Sequence, residues 1–300
     1  MIIVSGGSGF LGSHFLCTLQ HQDKELVNLD NNNVISFDFS ENITCDIRSY
    51  NEVLKFAKFN PDLIVHCAAM TNINACEMNP DLAYEVNVKG SENIAKLAQM
   101  SGAKLVYIST DAVFSGNELI YDETSPTNPI SIYGKTKLEG EKICMELCPD
   151  SLIIRTHLFG VNFVSDNKTF FQNVMSLIEE KKVFNGFIDA YCCPISATEL
   201  IRIILKLVAE KLNGIFNIVS NETLSKYQFA KLIASNFNGD LKLIQKSSLE
   251  QLPNKEIYAK NLSLKNDKVK NCLQEQIPSI EQMLSFYLRM IDTFYKPNLL

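Results

Sequence analysis

Features that mark membrane-spanning and secreted proteins are missing from this sequence of 300 residues. The opening stretch MIIVSGG has no basic leader before its apolar run and no small-residue cleavage site after it. The most apolar later stretch, LIRIILKLVAEKL, contains Arg202 and Lys206 and is too short to cross a bilayer. No internal repeat, low-complexity tract or Gly/Ser-rich linker divides the chain. We therefore expect a soluble, cytoplasmic protein without a membrane partner.

An excess of positive charge is also lacking. The chain has 28 Lys and Arg against 34 Asp and Glu, which gives a formal net charge of −6, and its isoelectric point is near 5.4. A general binder of nucleic acids or anionic membranes needs the opposite balance. We expect no nucleic-acid partner, and an anionic substrate would need a local basic pocket.

The sequence lacks the cysteine pattern of a zinc module or a disulfide framework. Its nine cysteines are an odd number without paired CxxC modules. Cys144 and Cys148 would share one helical face, but no second Cys/His pair lies near them in sequence to complete a zinc site. We expect reduced, mostly buried thiols and no metal. His66 and His157, at the ends of apolar runs, are interpreted as packing residues.

What the sequence does contain is an alternation of strand-like and helix-like runs. The strand-like runs, which include MIIVSG, ELVNLD, DLIVHCAA, KLVYIST and LIIRTHLFG, are apolar without apolar/polar alternation. Such strands separated by helices indicate a parallel sheet covered on both faces, so we predict a doubly wound α/β fold. Residues 1–160 would form this sheet domain, with a strand near 213–220 returning to it. Residues 161–300 would form a smaller mixed lobe over the strand ends, where such folds bind ligands.

The first strand-like run ends in SGGSGFLG, which places Gly6, Gly9 and Gly12 in a GxxGxxG spacing before a helix. Glycines let the backbone approach a pyrophosphate, and a helix N-terminus offers it free N–H groups and a partial positive charge. In this context we interpret the motif as a dinucleotide site rather than as a simple tight turn. The domain 1–160 is then dinucleotide-binding, and 161–300 is the substrate-binding lobe.

The second run ends in Asp30, eighteen residues beyond Gly12. An acidic side chain there accepts hydrogen bonds from the adenosine ribose hydroxyls and repels a 2′-phosphate. The following residues, Asn31, Asn32 and Asn33, include no Arg to bind that phosphate. We predict NAD(H) as the favoured cofactor, with NADP(H) as the alternative. The competing interpretation of Asp30 is an ordinary turn residue.

Two later segments, YISTDAVFSG and SIYGKTKLEGE, place a hydroxyl at a strand end and then a Tyr and a Lys on one helical face. The three groups are Thr110, Tyr133 and Lys137, and the last two are four residues apart. Groups so arranged can polarise a carbonyl, deliver a proton to it, and tune the group that delivers the proton. Taken alone, YGKTK also fits a surface helix with solvated charges.

These motifs, in order with CDIRS, HCAAMTNINACE and VNVKGSENIA, resemble the extended short-chain dehydrogenase/reductase superfamily. Within it, IIRTHLFG, DAYCCPISATEL and GIFNIVSNETLSKYQFAKLIA make the chain most similar to the dTDP-4-dehydrorhamnose reductases. The resemblance implies a Rossmann fold and a nucleotide-sugar substrate. It implies NAD(P)H-dependent reduction of the keto group of a nucleotide-linked 4-keto-6-deoxy sugar, and it leaves a homodimer open.

The resemblance also assigns roles to residues. Thr110 would bind the substrate carbonyl oxygen and Tyr133 would protonate it. Lys137 would lower the pKa of the tyrosine and hold the nicotinamide ribose, and Asn87 would position the lysine through water. The other cofactor contacts besides Asp30 would be Gly6, Ser8, Gly9, Phe10, Leu11 and Gly12 at the pyrophosphate, Asp46 and Ile47 at the adenine, and Cys67, Ala68, Ala69 and Thr71 along the cleft. The substrate contacts would be Asp111, Ala112, Leu158 and Asn162.

Several positions depart from the family's pattern. Ala112 stands where an aromatic usually follows the STD triplet, and Leu158 replaces a tryptophan. Tyr258 and Ala259 align with a late Arg-Pro that contacts the sugar nucleotide, so a bidentate partner of the diphosphate is missing. An acidic residue that helps bind magnesium in some members is absent from GSHFLCTL. We expect a wider, less aromatic sugar pocket that admits a bulkier substituent.

Two alternatives stay open. A sugar-nucleotide epimerase or dehydratase of the same superfamily would use the same Tyr and Lys but return the hydride to the sugar, so that the cofactor would not be consumed. A dehydratase usually has Asp-Glu after the Thr, whereas Asp111 is followed by Ala112. The other alternative is a non-catalytic NAD(P)-binding regulatory subunit, as in the related β subunit of methionine adenosyltransferase. The presence of Tyr133 and Lys137 favours an enzyme.

Overall fold

The computed structural model describes residues 1–20, 24–31, 38–162, 164 and 167–290. Within these ranges the strands form one seven-stranded sheet and three separate two-stranded pairs. In chain order they are β1 (Ile2–Ser5), β2 (Leu26–Asp30), β3 (Glu41–Thr44), β4 (Leu63–His66), β5 (Lys104–Ile108), β6 (Leu152–Arg155), β7 (Leu158–Phe159), β8 (Phe184–Phe187), β9 (Tyr191–Cys192), β10 (Ile195–Ser196), β11 (Gly214–Asn217), β12 (Leu224–Ser225) and β13 (Ile244–Ser247).

The central sheet has seven strands in the order β11-β6-β5-β4-β1-β2-β3, and all of its neighbouring pairs are parallel. The chain runs outward from β1 in one direction through β2 and β3, and in the other through β4, β5, β6 and β11. The predicted doubly wound α/β fold is confirmed. The order reverses between β1 and β4, and in such sheets the ligand crevice lies at the carboxyl ends of those strands.

Helices cover both faces of the sheet. In chain order they are α1 (Phe10–Leu19), α2 (Tyr50–Leu54), α3 (Ile73–Met78), α4 (Pro80–Tyr84), α5 (Gly90–Ser101), α6 (Ile132–Leu147), α7 (Phe170–Glu179), α8 (Ala197–Ala209), α9 (Lys226–Asn236), α10 (Asp267–Leu273) and α11 (Ile280–Met290). Ile2 and Val4 of β1 pack in one buried cluster with α1 and α8, whereas Ile3 packs in a second cluster with α5. Because successive side chains point to opposite covered faces, the strands are apolar without alternation.

The run LIIRTHLFG forms two strands rather than the single one predicted. β6 ends at Arg155, and β7 leaves the sheet to pair with β10. At the break, the Thr156 hydroxyl donates to the carbonyl oxygen of Ile218, 2.7 Å away. The break places His157 at the carboxyl edge of the sheet. The predicted terminal helix corresponds to α11, which the structure describes as far as Met290. The later residues of that prediction lie outside the described ranges.

Outside the central sheet, short strand pairs pack with α9. β8 and β13 pair in parallel, β9 and β12 pair antiparallel, and α9 packs on β8, β13 and α7. Ser225 caps α9 by accepting a hydrogen bond from the backbone N–H of Gln228. This cap fixes the first residue of α9, Lys226, at the edge of the cleft between the lobes.

Two further observations concern the chain as a whole. None of the helices in the described ranges combines the length and apolar character needed to cross a bilayer. The nine cysteines are free, and only Cys272 is exposed.

A buried ion pair fixes α6 against the sheet. Arg155 at the end of β6 donates through Nη2 and Nε to the Glu141 carboxylate of α6, at 2.7 and 2.9 Å. The Ser109 hydroxyl, which follows β5, donates to the same carboxylate at 2.5 Å. Both charged side chains are less than a twentieth exposed. The pair therefore sets where α6 lies relative to the ends of β5 and β6.

Breaking this pair should destabilise the fold strongly. Glu141→Gln keeps the side-chain volume but leaves the Arg155 charge buried without a counter-charge, and we expect a loss of about 3 kcal/mol in the free energy of unfolding. Chemical denaturation of parent and variant measures it. Glu139→Gln is the matched control, since its partner Lys142 is exposed and 3.6 Å away; it should cost about 0.5 kcal/mol or less. Equal, small losses in both variants would contradict this account.

Candidate active site

The loop between β1 and α1 brings backbone segments very close together. Gly6 has a φ of +74°, and a Cβ there would lie 2.6 Å from the backbone nitrogen of Ala68. A Cβ at Gly12 would lie 2.1 Å from the carbonyl oxygen of Gly6. Gly9 precedes α1 with extended backbone and makes no side-chain cap bond. The first N–H groups of α1 are therefore left without a side-chain cap, as an anion site at a helix N-terminus requires.

Asp30 at the end of β2 holds this loop. One carboxylate oxygen accepts from the backbone N–H of Ser8 and the other from that of Asn31, both at 2.8 Å. The side chain is partly exposed, and each oxygen keeps a second lone pair for another donor. Asn32 and Asn33, used in the sequence argument for the cofactor, lie outside the described residues.

The residues expected at the adenine lie just after β3. Asp46 accepts from Arg48 in a bidentate pair, with Nη2 at 2.6 Å and Nε at 2.9 Å. Hydrogen bonding from Arg48 holds the pKa of the Asp46 carboxyl below its usual value. Ile47 is buried against Gly90, where a Cβ would meet its side chain at 2.6 Å. The backbone N–H of Cys45 donates to the Asp30 carbonyl oxygen. The neighbouring Asp46–Arg48 pair therefore lies close to the end of β2.

A cavity of about 450 Å³ lies at the carboxyl ends of β1, β4 and β5. It brings together most of the predicted site residues: Gly6, Gly9, Phe10, Leu11, Gly12, Cys67, Ala69, Thr71, Thr110, Asp111, Ala112, Tyr133, Lys137 and Leu158. Its lining also contains residues that the sequence did not suggest, among them Thr156 and His157. The predicted residues that do not line it are Ser8, Asp30, Asp46, Ile47, Ala68, Asn87 and Asn162.

A close helix contact brings Tyr133 to Thr110. Ser131 caps α6, and a Cβ at Gly134 would lie 2.2 Å from the carbonyl oxygen of Ala112. Only glycine permits this approach without displacing the backbone. Burial raises the pKa of the Tyr133 phenol well above its usual value, and a hydrogen bond with Thr110 opposes that shift. The phenol is therefore protonated at neutral pH.

Lys137 lies one turn further along α6 and is almost fully buried. Its Nζ lies 4.1 Å from the centroid of the Tyr107 ring and makes no hydrogen bond to a residue within the described ranges. Burial lowers its pKa to about 8, and the nearby Cys144 and Glu141 oppose that shift. The side chain is thus charged at neutral pH and loses its charge as the pH rises above about 8.

Asn87 lies in a π-helical turn, Glu85–Lys89, between α4 and α5. Its amide oxygen accepts from the backbone N–H of Met70 at 2.8 Å, and its amide nitrogen donates to the Met70 carbonyl and the Thr136 hydroxyl, both at 3.0 Å. Both amide hydrogens are thus committed. Through these bonds the Asn87 side chain connects the loop after β4 to Thr136 of α6, which lies between Tyr133 and Lys137 in sequence.

His157 is the main residue that the sequence did not place in the site. The pattern indicated a packing residue, but the side chain lies between the two lobes. Its Nδ1 is 2.7 Å from a carboxylate oxygen of Asp111, and its Nε2 is 2.6 Å from Nζ of Lys226. The Thr110 hydroxyl donates to the other Asp111 oxygen at 3.1 Å. The signal that could have identified it was its position directly after a strand end, on the ligand-binding edge of the sheet.

Beside the cleft lies a second, more apolar cavity of about 290 Å³. Ala112 and His157 line both cavities, and Tyr258 and Ala259 line the second. Other apolar side chains of this wall are Ile130, Phe170, Phe187, Leu249, Ile257 and Leu262. The space left by Ala112 thus continues into an apolar chamber of the second lobe.

Asn162 is engaged in a loop before α7. Its Nδ2 donates to the carbonyl oxygen of Asn167 at 3.0 Å, and its backbone N–H donates to the Gln172 side chain at 2.8 Å. The structure therefore places it beside α7. No group of three or more His, Cys, Asp and Glu side chains suited to a metal ion occurs within the described ranges.

The seven-stranded parallel sheet with helices on both faces defines a Rossmann-like α/β fold of the kind found in the extended short-chain dehydrogenase/reductases. The family model described as RmlD substrate binding domain matches residues 1–293, and the chain belongs to this family.

Solved structures with the same architecture include two dTDP-4-dehydrorhamnose reductases. One from Clostridium acetobutylicum has a TM-score of 0.86 and 30% identity, over 97% of this chain and 99% of that one. One from Bacillus anthracis, in complex with NADP, has a TM-score of 0.85 and 28% identity, over 96% of this chain and 98% of that one. The similarity thus extends over nearly the whole chain.

Two of the curated relatives carry different names. The dTDP-4-dehydrorhamnose reductase of Salmonella typhimurium is 34% identical over 179 residues, which cover 58% of this chain and 59% of that protein. Methionine adenosyltransferase 2 subunit beta of Xenopus laevis is 32% identical over 182 residues, which cover 57% of this chain and 53% of that protein. The chain thus matches little more than half the length of each of these two relatives.

Proposed function

We propose that this chain reduces the keto group of a nucleotide-linked 4-keto-6-deoxy sugar with NAD(P)H. The observation that carries the proposal is the meeting of Thr110, Tyr133 and Lys137 in the cavity that also contains the glycine loop. The substrate class is supported by family relatives named dTDP-4-dehydrorhamnose reductase.

The residues present fit a nicotinamide dinucleotide. Gly6 and Gly12 let the loop pack closely on Ala68 and on itself. The uncapped N-terminus of α1 then lies at the cleft, where its N–H groups can bind a pyrophosphate. When bound, the reduced cofactor supplies a hydride. Lys137, whose ammonium has no hydrogen-bond partner in the described part of the chain, would hold the ribose beside the nicotinamide.

Tyr133 would deliver the proton to the carbonyl oxygen. Its phenol is protonated at neutral pH because burial raises its pKa, so it can act as an acid. The Thr110 hydroxyl would polarise the same carbonyl by donating a hydrogen bond. Once the proton has left, the Lys137 ammonium would stabilise the phenolate, since opposite charges nearby favour the ionised form.

The cofactor preference would follow from Asp30. Its carboxylate keeps lone pairs for ribose hydroxyls and would repel a 2′-phosphate. The Arg48 guanidinium near the same strand end is paired with Asp46, which cancels the charge that would attract that phosphate. NADH should therefore be used in preference to NADPH.

A second candidate function is a nucleotide-binding subunit without catalysis. The relative named methionine adenosyltransferase 2 subunit beta favours it. The presence of Thr110, Tyr133 and Lys137 in one cavity favours the enzyme, because binding alone needs no proton donor. Cofactor oxidation in the presence of a 4-keto sugar nucleotide separates the two.

Replacing the proton donor should abolish most of the activity. Tyr133→Phe removes only the phenolic oxygen, so folding and cofactor binding should survive while kcat falls by about 10²–10⁴-fold. Stopped assays of NAD(P)H oxidation measure kcat, and cofactor fluorescence titration measures binding. Tyr84→Phe, at an exposed tyrosine of α4, is the control and should retain parental activity. A Tyr133→Phe protein as fast as the parent would show that the proposed mechanism is wrong.

Removing the charge at position 30 should shift the cofactor preference. In Asp30→Ser the ratio of kcat/KM for NADPH to that for NADH should rise about tenfold, which corresponds to about 1.4 kcal/mol. Because Asp30 also holds Ser8, affinity for both cofactors can fall together, so the ratio is the informative quantity. An unchanged ratio, or a parent that prefers NADPH, would leave Asp30 as a structural residue of the loop.

The apolar chamber beside Ala112 should set the choice of sugar. We expect the parent to prefer a 4-keto sugar nucleotide with a bulky substituent, such as an acylated amino group, over the plain dTDP-4-keto-6-deoxyhexose. Ala112→Phe should reverse this preference by closing the entrance to the chamber. Competition between the two substrates measures it. Clear preference of the parent for the plain sugar would mean that the missing aromatics do not determine specificity.

A further inference from the structure

The Lys226 side chain places a polar nitrogen at the wall of the apolar chamber. The residue begins α9 and is partly buried. Its Nζ lies 2.6 Å from His157 Nε2 and 4.9 Å from the centroid of the Phe170 ring. Because both of these neighbours also line the chamber, the nitrogen itself lies at this wall. It borders a space whose lining is otherwise mostly apolar.

Two N–H hydrogens of Lys226 remain for a ligand in either protonation state of its pair with His157. The Asp111 carboxylate accepts from His157 Nδ1, 2.7 Å away, and one hydrogen lies between Nε2 and Nζ, because two N–H groups directed at each other would repel. Either the ammonium donates this hydrogen and keeps two more, or the imidazolium donates it to a neutral amine that has two. Nζ makes no hydrogen bond to any other residue that the structure describes.

These hydrogens determine what a ligand of the chamber must offer. Water can accept from them while the chamber is empty, and a ligand that displaces the water loses affinity unless it supplies an acceptor of its own. The rest of the ligand must suit the apolar wall, which includes Ile130, Phe187 and Leu249. The chamber therefore fits an apolar group that carries a hydrogen-bond acceptor.

The charges around Lys226 favour a neutral acceptor. The single hydrogen between the two nitrogen atoms gives the Lys226–His157 pair one positive charge, and the Asp111 carboxylate already balances it. The described residues that line the chamber include no Asp or Glu. A carboxylate in the chamber would lack a counter-charge of its own, and an ammonium would lack an acceptor. An amide carbonyl accepts hydrogen bonds without carrying a charge.

The chamber opens to the cleft beside the group expected to bind the keto oxygen. Ala112 and His157 line both cavities. The backbone N–H of Ala112 donates to the Thr110 hydroxyl oxygen at 3.1 Å, so the entrance adjoins Thr110. A substituent on a ring carbon near the ketone is therefore the part of the sugar that can enter the chamber.

We propose that Lys226 recognises the amide carbonyl of an N-acylamino group on the sugar, with the acyl chain in the apolar chamber; this inference rests on the proposed reductase function. Lys226 Nζ donates to the amide oxygen, and the acyl carbons contact the apolar wall. The substrate class is thereby narrowed to 4-keto-6-deoxy sugar nucleotides with a neutral acylamino substituent.

The variant Lys226→Met tests the recognition with two 4-keto-6-deoxy sugar nucleotides that differ only in an acetamido or a hydroxyl group. Methionine keeps an unbranched side chain beside Phe170 but has no N–H. The ratio of kcat/KM for the acetamido sugar to that for the hydroxyl sugar should fall about tenfold. NADH oxidation measures both values. The ratio is the informative quantity, because the loss of the contact with His157 can slow both substrates alike.

Two further variants of α9 separate recognition from a structural role. Lys231→Met, at a lysine over the Tyr227 ring, is the matched control and should keep the parental ratio. Lys226→Arg keeps N–H donors and a positive charge, and its ratio should stay within about threefold of the parental one. An unchanged ratio in Lys226→Met, or an equal fall in Lys226→Met and Lys226→Arg, would overturn the recognition by Lys226.

The parent protein supplies a test that needs no variant to fold. Its kcat/KM for the acetamido sugar should exceed that for the same sugar with a free amino group by about tenfold or more, because an ammonium offers Lys226 no acceptor and buries an unpaired charge. Equal use of the two sugars overturns the recognition while the reductase function stands. A parent that oxidises no NADH or NADPH with any 4-keto sugar nucleotide overturns the proposed function, and the recognition with it.

Discussion

The buried pair of Glu141 and Arg155 is the constraint on which the geometry of the site depends. It joins α6 to the end of β6, and the Ser109 hydroxyl ties the same carboxylate to the end of β5. Tyr133 and Lys137 are on α6, and Thr110 directly follows Ser109. A buried charge that moves away from its counter-charge loses the attraction that offsets its desolvation. The pair therefore holds α6 at a fixed distance from the ends of β5 and β6. The relative positions of the three groups at the cleft follow from that.

Close backbone contacts also fix the positions of the elements around the site. Gly134 lets α6 touch the carbonyl of Ala112, and Gly6 lets the first loop touch Ala68. The second lobe contributes a different kind of contact, since Lys226 reaches His157 across the cleft. The site is thus formed by the strand ends and α6 on one side and by the Lys226–His157 contact on the other.

The sheet and the residues of the cleft could be predicted because their signals are local. A run such as KLVYIST is apolar on both faces since both faces are covered. The motif SGGSGFLG lies between a strand and a helix that are adjacent in sequence, so its context can also be recognised from the sequence. The position of His157 could not be predicted in this way. It depends on β7 leaving the sheet and on Lys226 approaching from a helix distant in sequence. The commitment of Asn87 to Met70 and Thr136 is likewise set by tertiary contacts alone.

The central claim is that a hydride passes from the cofactor to the carbonyl carbon of a sugar nucleotide and stays there. It is tested most directly by incubating the protein with NADH deuterated at the transferring position and a 4-keto sugar nucleotide, then analysing the sugar by mass spectrometry. The account predicts one deuterium in the product for each cofactor oxidised, and about 10²–10⁴-fold slower formation of labelled product when Tyr133→Phe replaces the parent. Deuterium that remains on the cofactor while the sugar is isomerised, or a bound cofactor that is never oxidised, would contradict it.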